Sequence, residues 1–411
     1  MSTSAKPTSA VNDDVLSPAA IADPQSFFRD LRDIDPVYFS QRHGVYILTG
    51  HAEVHAAFRD KHMSSARAMQ SFRGKLAEKY QRLLKNALQL LDGWMLLNDP
   101  PDHTRLRDPV RKTFTPAVAN KLIPKIAARV DRLMDEFESD YLVDIVSKLS
   151  HPLTALVICD LLGVEEQDQN FLRSWTQDFG KLIYGASSNE SDYAAAVGSA
   201  GDIFYERMRP LLEKRRADPQ DDLISALLKA SAEAQWTEAE LLGACSMLLF
   251  AGHDTTAALI ASSVRALCLF PQQREQFEYD ETIHASAVEE LLRYDGPSKT
   301  FVRVNNETMQ IGDHEIEEGS TLWLAITGAN HDPAVFNEPA VLNLERDPNP
   351  HVSFGGGIHF CVGASLARVE ARVALQRLFA RYPKLRLHDT QHQWHQAIVD
   401  RSLTTLPVAL V

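Results

Sequence analysis

The chain has 411 residues and carries 42 Lys and Arg side chains against 55 Asp and Glu, a formal net charge of −13. Apolar residues make up 45% and charged residues 24%, which indicates a globular protein with a sizeable core and excludes a disordered chain. The acidic balance argues against a nucleic-acid partner, because binding to phosphates requires a basic surface. We also expect no membrane span, since no uninterrupted apolar run approaches the ~20 residues that cross a bilayer.

The N-terminal segment, residues 1–24, is rich in Ser, Ala, Thr and Asp and contains no apolar signal core. We therefore predict a mobile tail, and neither a signal peptide nor a membrane anchor. The cysteines Cys159, Cys245, Cys268 and Cys361 include no C-x-x-C pair and are too sparse for a secreted disulfide framework. A reducing, cytoplasmic setting is expected.

The sequence patterns in residues 25–411 predict one mainly α domain with a minor β portion. Val37–Ser40 and Gly44–Leu48 are separated by three residues and indicate a β-hairpin. From Asp99 to about Phe270 the pattern is helical, and Thr115 followed by Pro116 is a typical helix start. Strand-like segments return near Thr300–Val304, Thr308–Ile311, Ser320–Ile326 and Ile398–Leu410.

The most informative predicted element is a helix from Thr237 to Phe270, roughly 50 Å long at 1.5 Å per residue. Thr237 and Glu240 have the spacing of a capping box, and the helix is apolar almost all round, so it must cross the protein interior. The polar cluster Ala251–Thr256 lies in its middle. Buried acid and hydroxyl groups need partners; the alternatives are a solvated notch or a threonine hydroxyl bonded to its own helix.

The segment Phe354–Gly363 contains three consecutive glycines and leads into a helical pattern from Ala364. The glycines predict a tight turn in which the backbone closely approaches another group. Cys361 then lies at a helix N-terminus, where amide N–H groups and the helix dipole stabilise a thiolate. His359 lies two residues earlier and could serve an acidic group of a ligand. We interpret the other three cysteines as small core residues.

Three other chemistries fit this cysteine segment poorly. No fourth ligand lies at a zinc-finger spacing, and the third glycine position of a dinucleotide loop is Phe360. The hydrolase pattern G-x-S-x-G lacks its final glycine, because Ala367 occupies that position. A cysteine thiolate on haem iron remains.

These segments together strongly resemble the cytochrome P-450 superfamily, in its soluble bacterial form. Phe354–Gly363 matches the cysteine signature F-x-x-G-x-[HR]-x-C-x-G at every fixed position, and Ala251–Thr256 matches the oxygen-activation motif. Glu290–Arg293 matches E-x-x-R. That last pattern has little value alone, since Glu206–Arg209 and Glu213–Arg216 also fit it. Its significance comes from its position along the chain, between the other two motifs.

The resemblance implies a cytochrome P-450 fold, a single haem domain with a long central helix. The cofactor would be heme b, with Cys361 as the axial thiolate ligand of the iron. Asp254 and Thr255 would be the acid–alcohol pair that delivers protons during oxygen activation. Glu290, Arg293 and Arg346 would form a structural charge triad. The haem propionates would be bound by His103, Arg107, Arg303 and His359.

The same resemblance implies a monooxygenase that inserts one atom of O₂ into a hydrophobic or amphipathic organic molecule. We expect no fused reductase, so electrons would come from NAD(P)H through a reductase and a ferredoxin or flavodoxin. Arg105 and Lys112 are predicted to form an outward-facing positive patch for that carrier. Two alternatives stay open: a peroxide-driven or isomerase-type haem-thiolate enzyme, and a haem sensor or electron carrier. The predicted pocket regions are the loop before Trp94, the stretch around Trp175, Phe179, Ile183 and Tyr184, the central helix near Leu248 and Phe250, the strand 298–302 and the last loop near Ile398 and Val399. The alternative is that about half of these residues simply belong to the core.

Overall fold

A computed structural model of the chain describes residues 11–75, 78–164, 171, 174–176, 178–180, 190–389 and 391–410. Helices dominate this part of the chain. The helices are α1 (Pro18–Ala22), α2 (Pro24–Ile34), α3 (His51–Ala57), α4 (Ala66–Lys75), α5 (Glu78–Leu83), α6 (Lys85–Asp92), α7 (Asp102–Thr113), α8 (Pro116–Lys121), α9 (Ile123–Asp135), α10 (His151–Leu162), α11 (Glu190–Ala217), α12 (Leu223–Glu233), α13 (Glu238–Leu269), α14 (Pro271–Tyr279), α15 (His284–Asp295), α16 (Ile326–Asn330) and α17 (Ala364–Arg381). The prediction of a mainly helical chain is confirmed.

The strands form three small sheets beside the helices. They are β1 (Val37–Ser40), β2 (Val45–Leu48), β3 (Met63–Ser64), β4 (Leu142–Asp144), β5 (Thr300–Asn305), β6 (Met309–Ile311), β7 (His314–Ile316), β8 (Thr321–Ala325), β9 (Arg386–Leu387) and β10 (Pro407–Ala409). The largest sheet has the order β1-β2-β8-β5-β3, with β2 parallel to β8 and the other neighbours antiparallel. The predicted hairpin is confirmed as the β1–β2 pair. The predicted strand Ile398–Leu410 shrinks to β10, which pairs with β4 and β9.

The central helix α13 has the bounds and the start that its sequence predicts. The Thr237 hydroxyl accepts from the Glu240 amide at 3.2 Å, and the Glu240 carboxylate accepts from the Thr237 amide at 2.8 Å. Residues 241–250 and 256–264 are all buried. Within the described ranges, this is the one helix long and apolar enough to cross a membrane, but its most apolar window is 78% buried inside the protein. Its hydrophobicity is therefore that of a core helix.

The segment before residue 25 differs from the predicted mobile tail, because residues 11–24 pack against the rest of the domain. Val15 is fully buried, and the Lys299 ammonium donates to its carbonyl at 3.2 Å. Helix α1 begins with Ser17 as its N-cap, and the Arg401 guanidinium donates to the Ile21 carbonyl at 2.8 Å. Composition could not reveal this, since both anchoring cations come from distant parts of the chain.

Candidate functional site

The three-glycine turn before Cys361 is shaped by its contact with Phe58, at the end of α3. Gly355 and Gly357 have φ of +69° and +60°, the left-handed region that favours glycine. A Cβ atom on Gly357 would lie 2.1 Å from the Phe58 carbonyl oxygen. The group that the glycine backbone approaches is therefore the protein's own chain. The turn closes with the Cys361 amide donating to the Phe354 carbonyl at 2.9 Å.

Cys361 follows this turn and precedes α17, whose N-cap is Gly363. It is exposed, whereas the other three cysteines are buried or half-buried. Desolvation by the surrounding protein raises the pKa of the Cys361 thiol. The amides of Gly363 and Ala364 and the charge of Arg107 act in the opposite direction and lower that pKa. An exposed cysteine at a helix start suits a thiolate ligand for a metal.

The four residues predicted to bind carboxylates come together near this turn. The rings of His103 and His359 are 4.5 Å apart in an edge-to-face contact. Arg303 and Arg107 both lie close enough for their charges to lower the pKa of His359. Burial is the largest cause, and together these effects lower the pKa of His359 to about 2. Burial also lowers the pKa of Arg303 to about 10.

The hydrogen bonds of this cluster are incomplete. Arg107 donates to the Phe360 carbonyl, and Ser65 Oγ lies 3.4 Å from His359 Nε2. Among the described residues, however, both ring nitrogens of His103 and Nδ1 of His359 are buried without a hydrogen-bond partner. The Ile358 carbonyl lies near enough to favour protonated His103, but it lacks hydrogen-bond geometry. Arg303 donates to the carbonyl of its neighbour Val302 at 2.8 Å. Since buried donors need acceptors, the cluster fits the two propionates of a haem, and Cys361 fits its iron.

The burial of helix α13 is interrupted within the polar cluster, at residues 251–255, which we call the open part of α13. Ala251 is exposed, and Gly252, Asp254 and Thr255 are half-buried, between the two fully buried stretches of the helix. The Thr255 hydroxyl donates to the Ala251 carbonyl at 2.7 Å. The alternative of a threonine bonded to its own helix is therefore confirmed, yet the hydroxyl keeps lone pairs that can accept a proton.

The acid of this cluster has an altered proton affinity and two histidine neighbours. Burial raises the pKa of Asp254 to about 7. Its Oδ1 atom lies 3.6 Å from His253 Nε2 and 3.7 Å from His151 Nδ1. The sequence analysis did not identify His151, because α10 lies far from α13 along the chain and no local pattern marks this histidine.

The E-x-x-R pair forms the predicted triad with Arg346. The Arg293 guanidinium donates two hydrogen bonds to the Glu290 carboxylate, at 2.7 and 2.8 Å, and both side chains are fully buried. Arg346 Nε adds contacts of 3.1 and 3.2 Å to the same carboxylate. Three backbone carbonyls accept the remaining Arg293 donors. The group is thus a satisfied structural network.

Five of the predicted pocket residues belong to the hydrophobic core. Trp94, Trp175, Phe179, Leu248 and Phe250 are each at most 6% exposed. The Trp94 ring centroid lies 5.2 Å from that of Phe250 and 5.6 Å from that of Phe179. Trp175 stacks on Phe179 at 4.9 Å. Their apolar character reflects mutual aromatic packing, so these five residues agree with the alternative that they belong to the core.

Other predicted pocket residues remain accessible. Ile183 and Tyr184 lie outside the described residues. The half-buried residues lie on or just before β5 and on the last loop, and they are Ser298, Phe301, Val302, Ile398 and Val399, whereas Lys299 and Thr300 are buried.

The predicted positive patch on α7 is wrong for one of its two members. The Arg105 guanidinium donates to the Glu240 carboxylate and lies 3.5 Å from Asp102, so its charge is balanced by two acids. Lys112 is exposed as predicted. The position of Arg105 on α7 could not predict this pairing, because Glu240 comes from the N-terminus of α13.

Comparisons with known proteins agree with this site. The profile of the family described as cytochrome P-450 matches residues 37–396. The biotin biosynthesis cytochrome P-450 of Bacillus subtilis (strain 168) is 33% identical over 94% of this chain and 96% of that protein. The 6-deoxyerythronolide B hydroxylase of Saccharopolyspora erythraea is 33% identical over 93% of this chain and 94% of that protein.

A solved structure extends the agreement to the fold. P450BioI in complex with hexadec-9Z-enoic acid ligated acyl carrier protein has a TM-score of 0.86 and 31% identity, covering 95% of this chain and 98% of that chain. Similarity of this extent in both sequence and fold goes beyond a shared architecture. The chain therefore belongs to the cytochrome P-450 family of haem-thiolate monooxygenases, whose cofactor is heme b with a cysteine thiolate as the axial ligand.

Proposed function

We propose that the protein hydroxylates a hydrophobic or amphipathic organic substrate, with O₂ as oxidant and electrons from an external ferredoxin or flavodoxin. The observation that carries the proposal is the pairing of Asp254 and Thr255 on the open part of α13, where the flanking helix is fully buried. An acid and a hydroxyl at such a position suit proton delivery, which oxygen activation requires.

Cys361 would hold the iron, and the propionates would be held by His103, Arg107, Arg303 and His359. The exposure of Cys361 and the amides of Gly363 and Ala364 near its thiol support the first assignment. The unpartnered ring nitrogens of His103 and His359 support the second, because buried carboxylates are stabilised by charge-assisted hydrogen bonds. When bound, heme b with its axial thiolate supplies the chemistry of O₂ activation.

Asp254 and Thr255 would pass protons to the reacting oxygen. With its pKa raised to about 7 by burial, the Asp254 carboxyl is close to half protonated at neutral pH and can both release and regain a proton. The Thr255 hydroxyl accepts a hydrogen bond with its lone pairs and donates one with its proton. To donate to the oxygen, it must rotate away from the Ala251 carbonyl, which it contacts at 2.7 Å.

The accessible apolar side chains support a hydrophobic substrate. β5 and the last loop are joined, since the Thr300 hydroxyl donates to the Ile398 carbonyl at 2.7 Å and the Lys299 amide to the Val399 carbonyl at 2.7 Å. Phe301 on β5 is half-buried. The related P450BioI was solved with a fatty-acyl carrier protein, so long-chain acyl compounds are a sensible first set of ligands. A ligand that enters the site should shift the haem Soret band.

Electron supply separates this proposal from the first alternative, and the Asp254–Thr255 pair separates it from the second. A peroxide-driven or isomerase-type enzyme would need no external electrons, and a sensor or electron carrier would have no use for the Asp254–Thr255 pair.

A cytoplasmic location fits the free cysteines and a carrier that works in a reducing compartment.

The test is turnover of the haem-loaded protein with ¹⁸O₂, NAD(P)H, a ferredoxin or flavodoxin and its reductase. One labelled oxygen in each product molecule supports the proposal. Product formation with H₂O₂ alone, and none with the electron carrier, would favour the peroxide-driven alternative. A haem-loaded protein that takes up electrons but forms no product across the ligand set would favour a sensor or carrier.

A further inference from the structure

Three ligand atoms converge beside the open part of α13, from two different helices. His151 Nδ1 lies 3.4 Å from His253 Nε2 and 3.7 Å from Asp254 Oδ1, and the last two atoms are 3.6 Å apart. The same three atoms define all three distances, so they form a nearly equilateral triangle. Their residues are the one group of His, Cys, Asp and Glu side chains with metal-binding spacing in the described part of the chain.

This triangle has the size of one face of a zinc coordination tetrahedron. Zinc binds histidine nitrogen at about 2.0–2.1 Å and carboxylate oxygen at about 2.0–2.2 Å, so ligand atoms in a tetrahedral site are roughly 3.3–3.6 Å apart. The observed separations of 3.4, 3.6 and 3.7 Å differ from this range by at most about 0.1 Å. Small side-chain rotations are therefore sufficient for one ion to contact all three atoms.

A neighbouring hydroxyl prepares His253 for this role. The Thr154 hydroxyl donates to the His151 carbonyl at 3.2 Å, and it also lies 2.9 Å from His253 Nδ1. When this proton is donated to the His151 carbonyl, the hydroxyl can accept a hydrogen bond from His253 Nδ1–H. In that tautomer the lone pair of His253 is on Nε2, the atom in the triangle. Such a bond from the second nitrogen of a ligating histidine is the usual support of metal sites.

We propose that His151, His253 and Asp254 bind one divalent transition-metal ion of the zinc class, with a water molecule as the fourth ligand. Two imidazoles and one carboxylate suit zinc and disfavour magnesium and calcium, which require oxygen ligands. The site is reachable, because the side chains of His151 and Asp254 are 21% and 23% exposed. His253 is only 4% exposed and would be the buried anchor of the site.

Occupancy of the site would inhibit turnover, a consequence that rests on the proposed proton relay. A bound ion occupies Asp254 Oδ1, the oxygen that would otherwise carry a proton to Thr255. Metal binding would thus compete with proton delivery, while the haem ligand Cys361 is untouched. The expected effect is reversible loss of coupled turnover without loss of the CO spectrum.

The binding test is calorimetric titration of the haem-loaded protein with ZnCl₂. We expect one ion per chain, with binding lost in His151→Ala and His151→Asn. Thr154→Val should weaken binding about 10–100-fold, the usual effect of losing the second bond of a ligating histidine. His314→Ala is the matched control, because His314 also contacts an aspartate, with its Nε2 2.7 Å from Asp35, but lies outside the triangle.

An unchanged stoichiometry and affinity in both His151 variants would overturn the metal site, as would the absence of zinc binding to the unaltered protein. The CO spectrum of each variant verifies that it is folded and haem-loaded. In a second experiment, the turnover rate of each protein is measured with ZnCl₂ and then after addition of EDTA, and it is compared with the metal-free rate of the same protein. Zinc binding without inhibition would overturn only the proposed effect on the relay. Calorimetry remains decisive for the site even if no hydroxylation is found.

Discussion

The imidazole rings of His103 and His359 meet edge to face, 4.5 Å apart at an angle of 64°. One ring comes from α7 and the other from the turn before Cys361, and among the described residues three of their four nitrogens are buried without a hydrogen-bond partner. Burial is the largest cause that lowers the pKa of each histidine, and the positive charge of nearby Arg107 lowers both pKa values further. Such an arrangement is stable when an anionic ligand accepts the free N–H groups.

The first prediction is that both histidines contribute to haem retention. His103→Phe and His359→Phe keep a ring of similar size but remove the donors. A hydrogen bond to a charged group contributes about 1.5–3 kcal/mol, so each variant should lose haem about 10–100 times more readily. Haem transfer to apomyoglobin measures this, with His314→Phe as the control. Unchanged transfer rates in both variants would contradict the assignment of propionate partners.

The second prediction concerns Cys361. The reduced, CO-bound protein should show the red-shifted Soret band that thiolate ligation produces, and Cys361→Ser should lose it because a hydroxyl is a much weaker electron donor to iron. Absorption spectroscopy of the CO complex is the measurement. The three controls, which should all retain the band, are Cys159→Ala, Cys245→Ala and Cys268→Ala. A normal thiolate spectrum in Cys361→Ser would rule out this ligand.

The third prediction separates the two members of the acid–alcohol pair. Thr255→Ala should keep haem and substrate binding but divert electrons to hydrogen peroxide, because the hydroxyl that directs the proton is missing. Asp254→Asn should slow turnover by about 10²–10⁴-fold, the usual contribution of a general acid. Product and peroxide are measured per NAD(P)H consumed. Thr256→Ala, at the buried neighbouring threonine, is the control, and fast, coupled turnover in both test variants would require another relay.

The fourth prediction uses two glutamates with the same E-x-x-R spacing but different surroundings. Glu290→Ala leaves fully buried Arg293 without its carboxylate, and loss of one partner of a buried pair costs about 3–5 kcal/mol. Glu213→Ala breaks an exposed pair with Arg216, which should change stability by at most about 1 kcal/mol. Denaturant unfolding followed by circular dichroism measures both. Similar losses in the two variants would show that burial does not decide the role of this motif.

The fifth prediction concerns Glu370, a carboxyl inside α17. Burial raises its pKa to about 8, and its Oε1 atom has no hydrogen-bond partner in the described part of the chain. The folded state therefore keeps a proton that the unfolded chain releases near its usual pKa of about 4.3. The stability that this group contributes is present below about pH 4 and is lost as the pH rises towards about 8.

Glu370→Gln should accordingly raise the unfolding temperature of the protein more at about pH 8 than at about pH 5, because glutamine remains neutral. Thermal unfolding at the two pH values is the measurement, with exposed Glu317→Gln as the control. An equal change at both pH values would mean that Glu370 does not titrate in this range.

The local features of this protein could be predicted because each depends on residues close together in the chain. The Thr237–Glu240 capping box, the β1–β2 hairpin and the helix start after Gly363 all appear where their patterns indicate. The glycine turn was predicted as a close backbone approach, but its contact, Phe58, could not be read from the sequence. Likewise, apolar character alone could not separate the core aromatic residues from pocket residues.

The sequence by itself determined the helical class, the long central helix and the identity of the chemical groups, because hydrophobic period, caps and signature spacing are properties of short segments. Only the tertiary structure decided which distant groups meet. It balanced the charge of Arg105 with Glu240, and it brought His151 to His253 and Asp254. Contacts of this kind depend on how the helices pack, since a side chain's neighbours across an interface are set by helix position and rotation, which no local pattern encodes.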